Sequence, residues 1–374
     1  LADLGHRFRT SSDTEVIIHA WAEWGRDCLR RLRGMFAFAL WDSRREVLFL
    51  ARDRLGEKPL YFTMLDGGVL LFASELKALL VDPLVGRRID PRAVDQYFAF
   101  GYVPDPATIY AGIEKLQAGH FLELRRGQPA VRPVAYWNVS FARRERFGVD
   151  AAAGELVELL DDAVKGQMIA DVPLGAFLSG GVDSSGVVAL MAGAAPERIN
   201  TFSISFANSA YDESIHAEAV ARRYGTHHRT FQVDAGSFDV IDTLAGIYDE
   251  PFGDSSALPM LQLCALTRQN VKVALSGDGG DELFAGYRRH LWHSREEGMR
   301  RMLPQALRGP IFGGLAAIYP KLDWAPRALR AKTTLREIAM TAAEGYFSSI
   351  SVVGDDIRPA LYSAGRISSP TTDM

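Results

Sequence analysis

VPLGAFL (172–178), followed at once by SGGVDSS (179–185), decides how this chain folds. The first seven residues are an apolar run with the length of a buried strand. The next seven bring two adjacent glycines and three serines to the point where a helix over 184–192 is expected. A strand that ends in a glycine-rich turn and passes directly into a helix is the repeating step of a parallel α/β sheet. The flanking sequence repeats that step. Helices are expected over 156–169, 213–224, 238–248 and 258–269, and strands over 201–206, 229–233 and 271–275. Right-handed crossovers then give a parallel sheet whose ligands sit beyond the carboxyl ends of its strands.

The loop at 179–185 is suited to an anion. Its glycines let backbone N–H groups approach closely, the helix N-terminus adds positive potential, and Ser179, Ser184 and Ser185 add hydroxyls. It lacks the Gly-Lys-Ser/Thr ending of a Walker A loop. Asp183 would repel a phosphate unless a divalent cation such as Mg2+ lay between them. The plainer alternative is a Gly-Ser turn capping a helix. A second loop, SGDGGDE (276–282), follows the strand VKVAL (271–275) and puts three glycines and three acids into seven residues. It suits close backbone approach with metal coordination, against the alternative of an acidic surface loop; EF-hand spacing is absent.

The N-terminal part is β-rich. Strands are expected over 35–41 and 47–51 around the turn at Asp42–Arg45. A hairpin over 60–64 and 69–73 turns at Asp66-Gly67-Gly68, and a further strand covers 120–124. Helices are expected over 13–24, with Ser12 or Asp13 as cap, and over 90–100. The polar, Arg-rich stretch 138–150 reads as the domain boundary. Length alone, 374 residues, also points to two domains. With 48% hydrophobic and 24% charged residues, disordered, collagen-like and coiled-coil chains are excluded. The net charge is 42 − 46 = −4, which gives no general attraction to nucleic acid or an anionic membrane, and no apolar run has transmembrane length. Cys28 and Cys264 make no disulfide framework, so a reducing cytoplasm is the expected compartment. Cys28, among Trp24, Leu29 and Leu32, reads as core, and His290 and His293 as surface. His227-His228 is expected just before a strand.

SGGVDSS, SGDGGDE, YDES (211–214), GTHH (225–228) and DEPF (249–252), with RGMFAFALWD (33–42), ARDRLGEKPLY (51–61) and ASELKAL (73–79) upstream, resemble the asparagine synthetase family over essentially the whole chain. The resemblance implies an N-terminal αββα glutaminase-like (Ntn-type) class II glutamine amidotransferase domain, here incomplete, over residues 1–140. It also implies a C-terminal parallel-sheet ATP-pyrophosphatase domain of adenine nucleotide α-hydrolase type over 150–374. The implied reaction activates a carboxylate, of aspartate or a related acceptor, with ATP. Ammonia from glutamine then displaces AMP from the acyl-adenylate. By matching, Ser179, Gly180, Gly181, Ser184 and Ser185 would hold pyrophosphate, and Leu178, Ile204, Ser276 and Gly277 would line the nucleotide site. Asp183 and Asp281 would bind Mg2+, Asp278 would help form the adenylate, and Asp13 would bind the α-amino group of glutamine, against its reading as a plain helix cap. Residues 249–260 are expected to shape the acceptor pocket. The implied partners are small molecules, with a homodimer allowed.

The chain departs from the family pattern at both ends. It begins at Leu1 where the family has a nucleophilic Cys, and it lacks the Arg and the Asn-Gly segment of the glutamine site. The downstream Lys-x-Gly-Phe-like segment is also missing; Lys321 and Lys332 lie in other contexts. Truncation at both ends is the preferred explanation, because ARDRLGEKPLY and ASELKAL are intact. The alternatives are an adenylating ligase like the β-lactam synthetases, without glutaminase activity, or a catalytically silent nucleotide-binding relative.

Overall fold

The computed structural model describes residues 1–127, 132–141, 148–206, 212–233, 240–320, 324, 326, 331–354 and 357–362. Tyr211, Gln128, Lys321, and residues 238 and 239 of the expected 238–248 helix lie outside the described residues, as does 142–147 within the expected boundary. The chain forms two compact units. One comprises Leu1–Val94, Val103–Gly154 and Ala245–Phe252, and the other Asp95–Tyr102, Glu155–Leu244 and Gly253–Met374.

In the first unit, α1 (Asp13–Trp24) precedes β1 (Ala37–Asp42) and β2 (Val47–Arg52). The hairpin β3 (Tyr61–Leu65) and β4 (Val69–Ala73) comes next, then α2 (Leu76–Leu79) and α3 (Pro91–Phe100), which runs through the division at Val94. β5 (Ile113–Lys115), β6 (His120–Arg125) and β7 (Val134–Ala135) complete the unit. They make two antiparallel sheets, ordered β1-β2-β6-β7 and β4-β3-β5. The period of two along β2 shows how they stack. Val47, Phe49 and Ala51 pack against Ala20 and Trp21 of α1, while Leu50 and Leu48 pack with Leu60, Phe62 and Leu70 of the second sheet's side. β2 is therefore apolar on both faces. Cys28 is fully buried in the α1 side of this core, and burial pushes its thiol up to about 11, as its sequence context predicts for a core residue.

ARDRLGEKPLY owes its regularity to two buried ions. Arg52 donates to the carbonyls of Gly56, Lys58 and Leu116 at 2.6–2.8 Å and pairs with Asp105 at 2.7 Å. The Asp53 carboxylate, 1% exposed, accepts four backbone N–H groups, from Phe36, Leu55, Glu57 and Lys58. Each ion replaces lost hydration with several hydrogen bonds, the condition for keeping a charge inside.

In the second unit, α4 (Val149–Gln167), which starts in the first, leads to β8 (Leu174–Phe177), α5 (Val182–Ala194), β9 (Asn200–Phe206), α6 (Ser214–Tyr224) and β10 (His227–Val233). α7 (Ile241–Ile247), α8 (Ala257–Thr267), β11 (Val273–Leu275) and α9 (Gly280–Phe284) follow. The sheet is parallel throughout, in the order β10-β9-β8-β11. The glycine inside VPLGAFL has a packing reason: a Cβ on Gly175 would lie 2.8 Å from the Asn200 carbonyl and 2.9 Å from the Phe202 ring on the neighbouring strand. Two boundaries differ from expectation. β8 is shorter than 172–178 because its edge is set by Pro173, which pairs only through its carbonyl, accepting from Lys272. His227 and His228 lie inside β10 rather than before it, because Gly225 (φ 65°) ends α6 tightly and His227 N–H reaches the Ile199 carbonyl.

Beyond α9 come α10 (Arg288–Met302), α11 (Gln305–Ile318), α12 (Lys332–Ala339) and α13 (Ala342–Ile350). His290 and His293, expected at the surface, are instead half-buried, with their rings against Tyr346. Arg300 on α10, its side chain 3% exposed, pairs with Glu296 at 3.1 Å and Glu297 at 3.6 Å and donates to the Glu337 carbonyl. Burial, and next the Glu296 charge, raise the Glu337 carboxyl to about 7, against the opposing pull of Arg300 and Arg336. The folded state thus holds a proton that the unfolded chain releases from its ordinary value of 4.5 upward. This contribution to stability is present at low pH and is lost as pH rises towards 7. Urea unfolding followed from pH 5 to 8 is expected to show this slope, and Glu337→Gln to flatten it; an unchanged slope in the variant would refute the assignment.

Candidate active site

SGGVDSS turns at the carboxyl end of β8 and SGDGGDE at the carboxyl end of the adjacent strand β11. Adjacency in the sheet brings together two loops almost a hundred residues apart in sequence. The first loop is shaped by Gly180, whose φ is 83°; a Cβ there would lie 2.5 Å from the His216 Cβ and 2.6 Å from the Ala217 N. It is tied internally by hydroxyls. Ser179 Oγ accepts the Gly181 N–H at 3.2 Å and lies 2.9 Å from Ser184 Oγ, which in turn accepts the Ser179 N–H and donates to the Gly181 carbonyl. α5 then opens at Gly181 with no side-chain cap, so its N-terminal amides face the loop without a competing side-chain acceptor.

The second loop fits against the first with glycines at the contact. A Cβ on Gly277 would lie 2.6 Å from the backbone N of Ser184, and one on Gly280 would lie 2.5 Å from Cγ of Asp183. Ser276 Oγ donates to the Asp278 carboxylate at 2.9 Å. The two loops enclose a cavity of about 540 Å³. Of the residues singled out in the sequence, Leu178, Ser179, Gly181, Asp183, Ser184, Ile204, Ser276, Gly277, Asp278 and Asp281 line it. Gly180 and Ser185 are not among the lining residues: Gly180 packs against α6, and the Ser185 Oγ is buried without a partner among the described residues. Phe177, Phe202, Met260 and Leu263 add an apolar wall that the motifs did not announce, because these side chains converge from β8, β9 and α8.

Asp183 and Asp281 both line the cavity, both are half-buried, and neither forms an ion pair among the described residues. Two free carboxylates without a full protein cage suit Mg2+, which keeps water and takes the remaining oxygens from a substrate phosphate. The donor set therefore fits that ion.

Asp13 belongs to the first unit. It is the first residue of α1 and is exposed, and the cap is Ser12, whose Oγ accepts the Thr14 N–H. The Asp13 carboxylate is thus not used as the cap. The segment expected to shape the acceptor pocket divides. Asp249 pairs with Lys77 at 3.2 Å, and Glu250 pairs with Lys115 and accepts the Ile109 N–H, all within the first unit. Met260 lines the cavity of the second. No helix among the described residues is long and apolar enough to cross a membrane.

Residues 155–353 match the family model described as asparagine synthase, and residues 1–137 the one described as glutamine amidotransferase domain. A Methanocaldococcus jannaschii protein provisionally named as a glutamine-hydrolysing asparagine synthetase is 37% identical over 357 residues, covering 94% of this chain and 68% of its own. A similarly named Mycobacterium tuberculosis protein is 36% identical over 364 residues, 96% of this chain and 54% of its own. The glutamine-hydrolysing asparagine synthetase 3 of Bacillus subtilis is 34% identical over 299 residues, 76% of this chain and 48% of its own. The chain thus spans about half the length of the latter two.

Proposed function

This chain belongs to the asparagine synthase family, and from that premise we propose that it is a glutamine-dependent, ATP-consuming, AMP-forming amidotransferase. The observation that carries the proposal is the joining of SGGVDSS and SGDGGDE around one cavity that holds two unpaired aspartates.

In this reading the apolar wall of Phe202, Met260 and Leu263 takes the adenine, with Leu178 and Ile204 beside it. The amides at Gly181 and the N-terminus of α5, with the Ser179 and Ser184 hydroxyls, hold the pyrophosphate oxygens. Asp183 and Asp281 hold Mg2+, which when bound neutralises charge on the phosphates. An oxygen of the acceptor carboxylate attacks the α-phosphorus and the bond to pyrophosphate breaks, giving an acyl-adenylate. Ammonia then attacks the acyl carbon and AMP leaves with the bonding electrons. Negative charge grows on phosphate oxygens in the first step, where fixed N–H donors are worth most. Asp278, which accepts from Ser276 Oγ and lines the cavity, is the residue we assign to positioning the adenylate. The first unit supplies ammonia from glutamine, with Asp13 reserved for the α-amino group; its matched region and exposed, non-capping carboxylate support that reading. Aspartate is the simplest acceptor.

The test is Mg2+-dependent exchange of labelled pyrophosphate into ATP by the complete polypeptide with aspartate and a panel of other carboxylates. Exchange with at least one carboxylate, and loss of roughly 10²-fold or more in Asp183→Asn and Asp281→Asn, is expected. No exchange from folded protein with any carboxylate would overturn the proposal.

A further inference from the structure

We propose a second anion site, for a phosphate-type oxyanion, in the helical layer formed by α10, α11 and α13. A cavity of about 580 Å³ opens there, lined by Arg300, Arg301, Arg308, Glu297, Gln305 and Thr341 among others. Arg308 carries the argument. The residue is 6% exposed, and its Nε and Nη1 are buried with no hydrogen-bond partner among the described residues. A guanidinium never sheds its charge at ordinary pH, so burial without an acceptor carries the full desolvation cost. An oxyanion in the adjoining cavity supplies acceptors to one edge of the guanidinium, whose paired N–H groups can take two of its oxygens at once.

The surroundings favour that charge sign. Arg300 and Arg301 line the same cavity. α11 begins beside it at Gln305, behind Pro304 and without a side-chain cap, so its first amides add positive potential. α13 also begins here, but its first amides are already served by the capping box of Thr341 and Glu344, so it contributes only its dipole. The opposing carboxylate on the cavity wall is Glu297, which already lies 3.6 Å from Arg300 and 3.5 Å from Arg301. Glu296 and Glu337 stand around Arg300 rather than on the cavity wall. Among the described residues Arg308 has no counter-charge, and the ligand class is an anion with several oxygens and more than one charge: free phosphate or the phosphate group of a metabolite.

The site is built from residues outside the nucleotide cavity, so its test does not depend on the proposed activity. The probe is inorganic phosphate, read as a change in Tm against chloride at matched ionic strength. Ser179→Ala/Ser184→Ala serves as the background, to weaken phosphate binding at the loop after β8. A rise on the order of 3 °C at ten times Kd is expected in that background. Arg308→Met is expected to abolish the rise, and to raise the Tm in phosphate-free buffer because a buried, unpaired charge is gone. Should Arg308→Met fail to fold, Arg308→Lys is expected to keep the fold and lower phosphate affinity by tenfold or more. An equal phosphate response with and without the Arg308 guanidinium, or none at all in the background protein, would overturn the proposal. Glucose 6-phosphate compared with free phosphate then separates the two sources.

Discussion

Gly277→Ala is expected to lower ATP–pyrophosphate exchange by about 10²-fold or more. The added methyl would lie 2.6 Å from the backbone N of Ser184 and 3.0 Å from the Asp183 carbonyl carbon. Neither atom can rotate away, because Ser184 sits in the first turn of α5 and its hydroxyl is bonded into the loop at Ser179 and Gly181. The loops must therefore separate by a fraction of an ångström to an ångström, and with them Asp183 and Asp281. Misplacement on that scale is enough to break a site whose catalysis is positioning and charge stabilisation. Gly280→Ala makes the instructive comparison. Its Cβ would meet the side chain of Asp183, at 2.5 Å from Cγ and 2.6 Å from Oδ2. A carboxylate can swing away where a backbone amide cannot, so this variant should keep its fold with little loss of Tm while needing a higher Mg2+ concentration for exchange. Exchange at wild-type level in Gly277→Ala would mean that the two loops do not act as one site.

Arg52→Met is expected to destabilise the first unit by about 3–5 kcal/mol, the usual result of removing one partner from a buried charged network. The loss strands the carbonyls of Gly56, Lys58 and Leu116 and the carboxylate of Asp105, all of which receive hydrogens from this one guanidinium. The volume change is small, so the cost is electrostatic and hydrogen-bonding rather than a cavity. Arg52→Lys should recover only part of it, because a single ammonium cannot serve acceptors on several sides. Denaturant unfolding, followed by the fluorescence of Trp21 and Trp24, measures the effect. A loss below about 1 kcal/mol would show that the loop 53–58 is held by the four amides on Asp53 and not by Arg52.

Both variants lie in motifs that are plain in the sequence, yet the sequence does not say what the motifs do. ARDRLGEKPLY reads as a family signature, and only the folded chain reveals that its Arg and Asp are buried organisers of a loop. DEPF reads as part of an acceptor pocket, and only the folded chain reveals that its acids pair with Lys77 and Lys115. Strand and helix positions were legible where the pattern was strong: α1, the hairpin β3–β4 and β9 fall within a residue of expectation. They were less legible where chemistry moves an end. α4 starts at Val149 rather than 156, since the polar, alanine-rich lead-in 150–155 extends the helix without needing to bury a face.

What the sequence determined by itself was the chemistry available at each loop: glycines for close approach, hydroxyls and amides for phosphate oxygens, aspartates for a hard cation. Those properties are local, so spacing along the chain carries them. Which loops meet, which glycine lies at their contact and which arginine is left without a partner among the described residues are matters of non-local packing. The parallel pairing of β8 with β11 joins two loops distant in the chain, and residues of α10, α11 and α13 line one cavity at Arg308. Such contacts depend on strand order and helix placement, which no residue specifies alone.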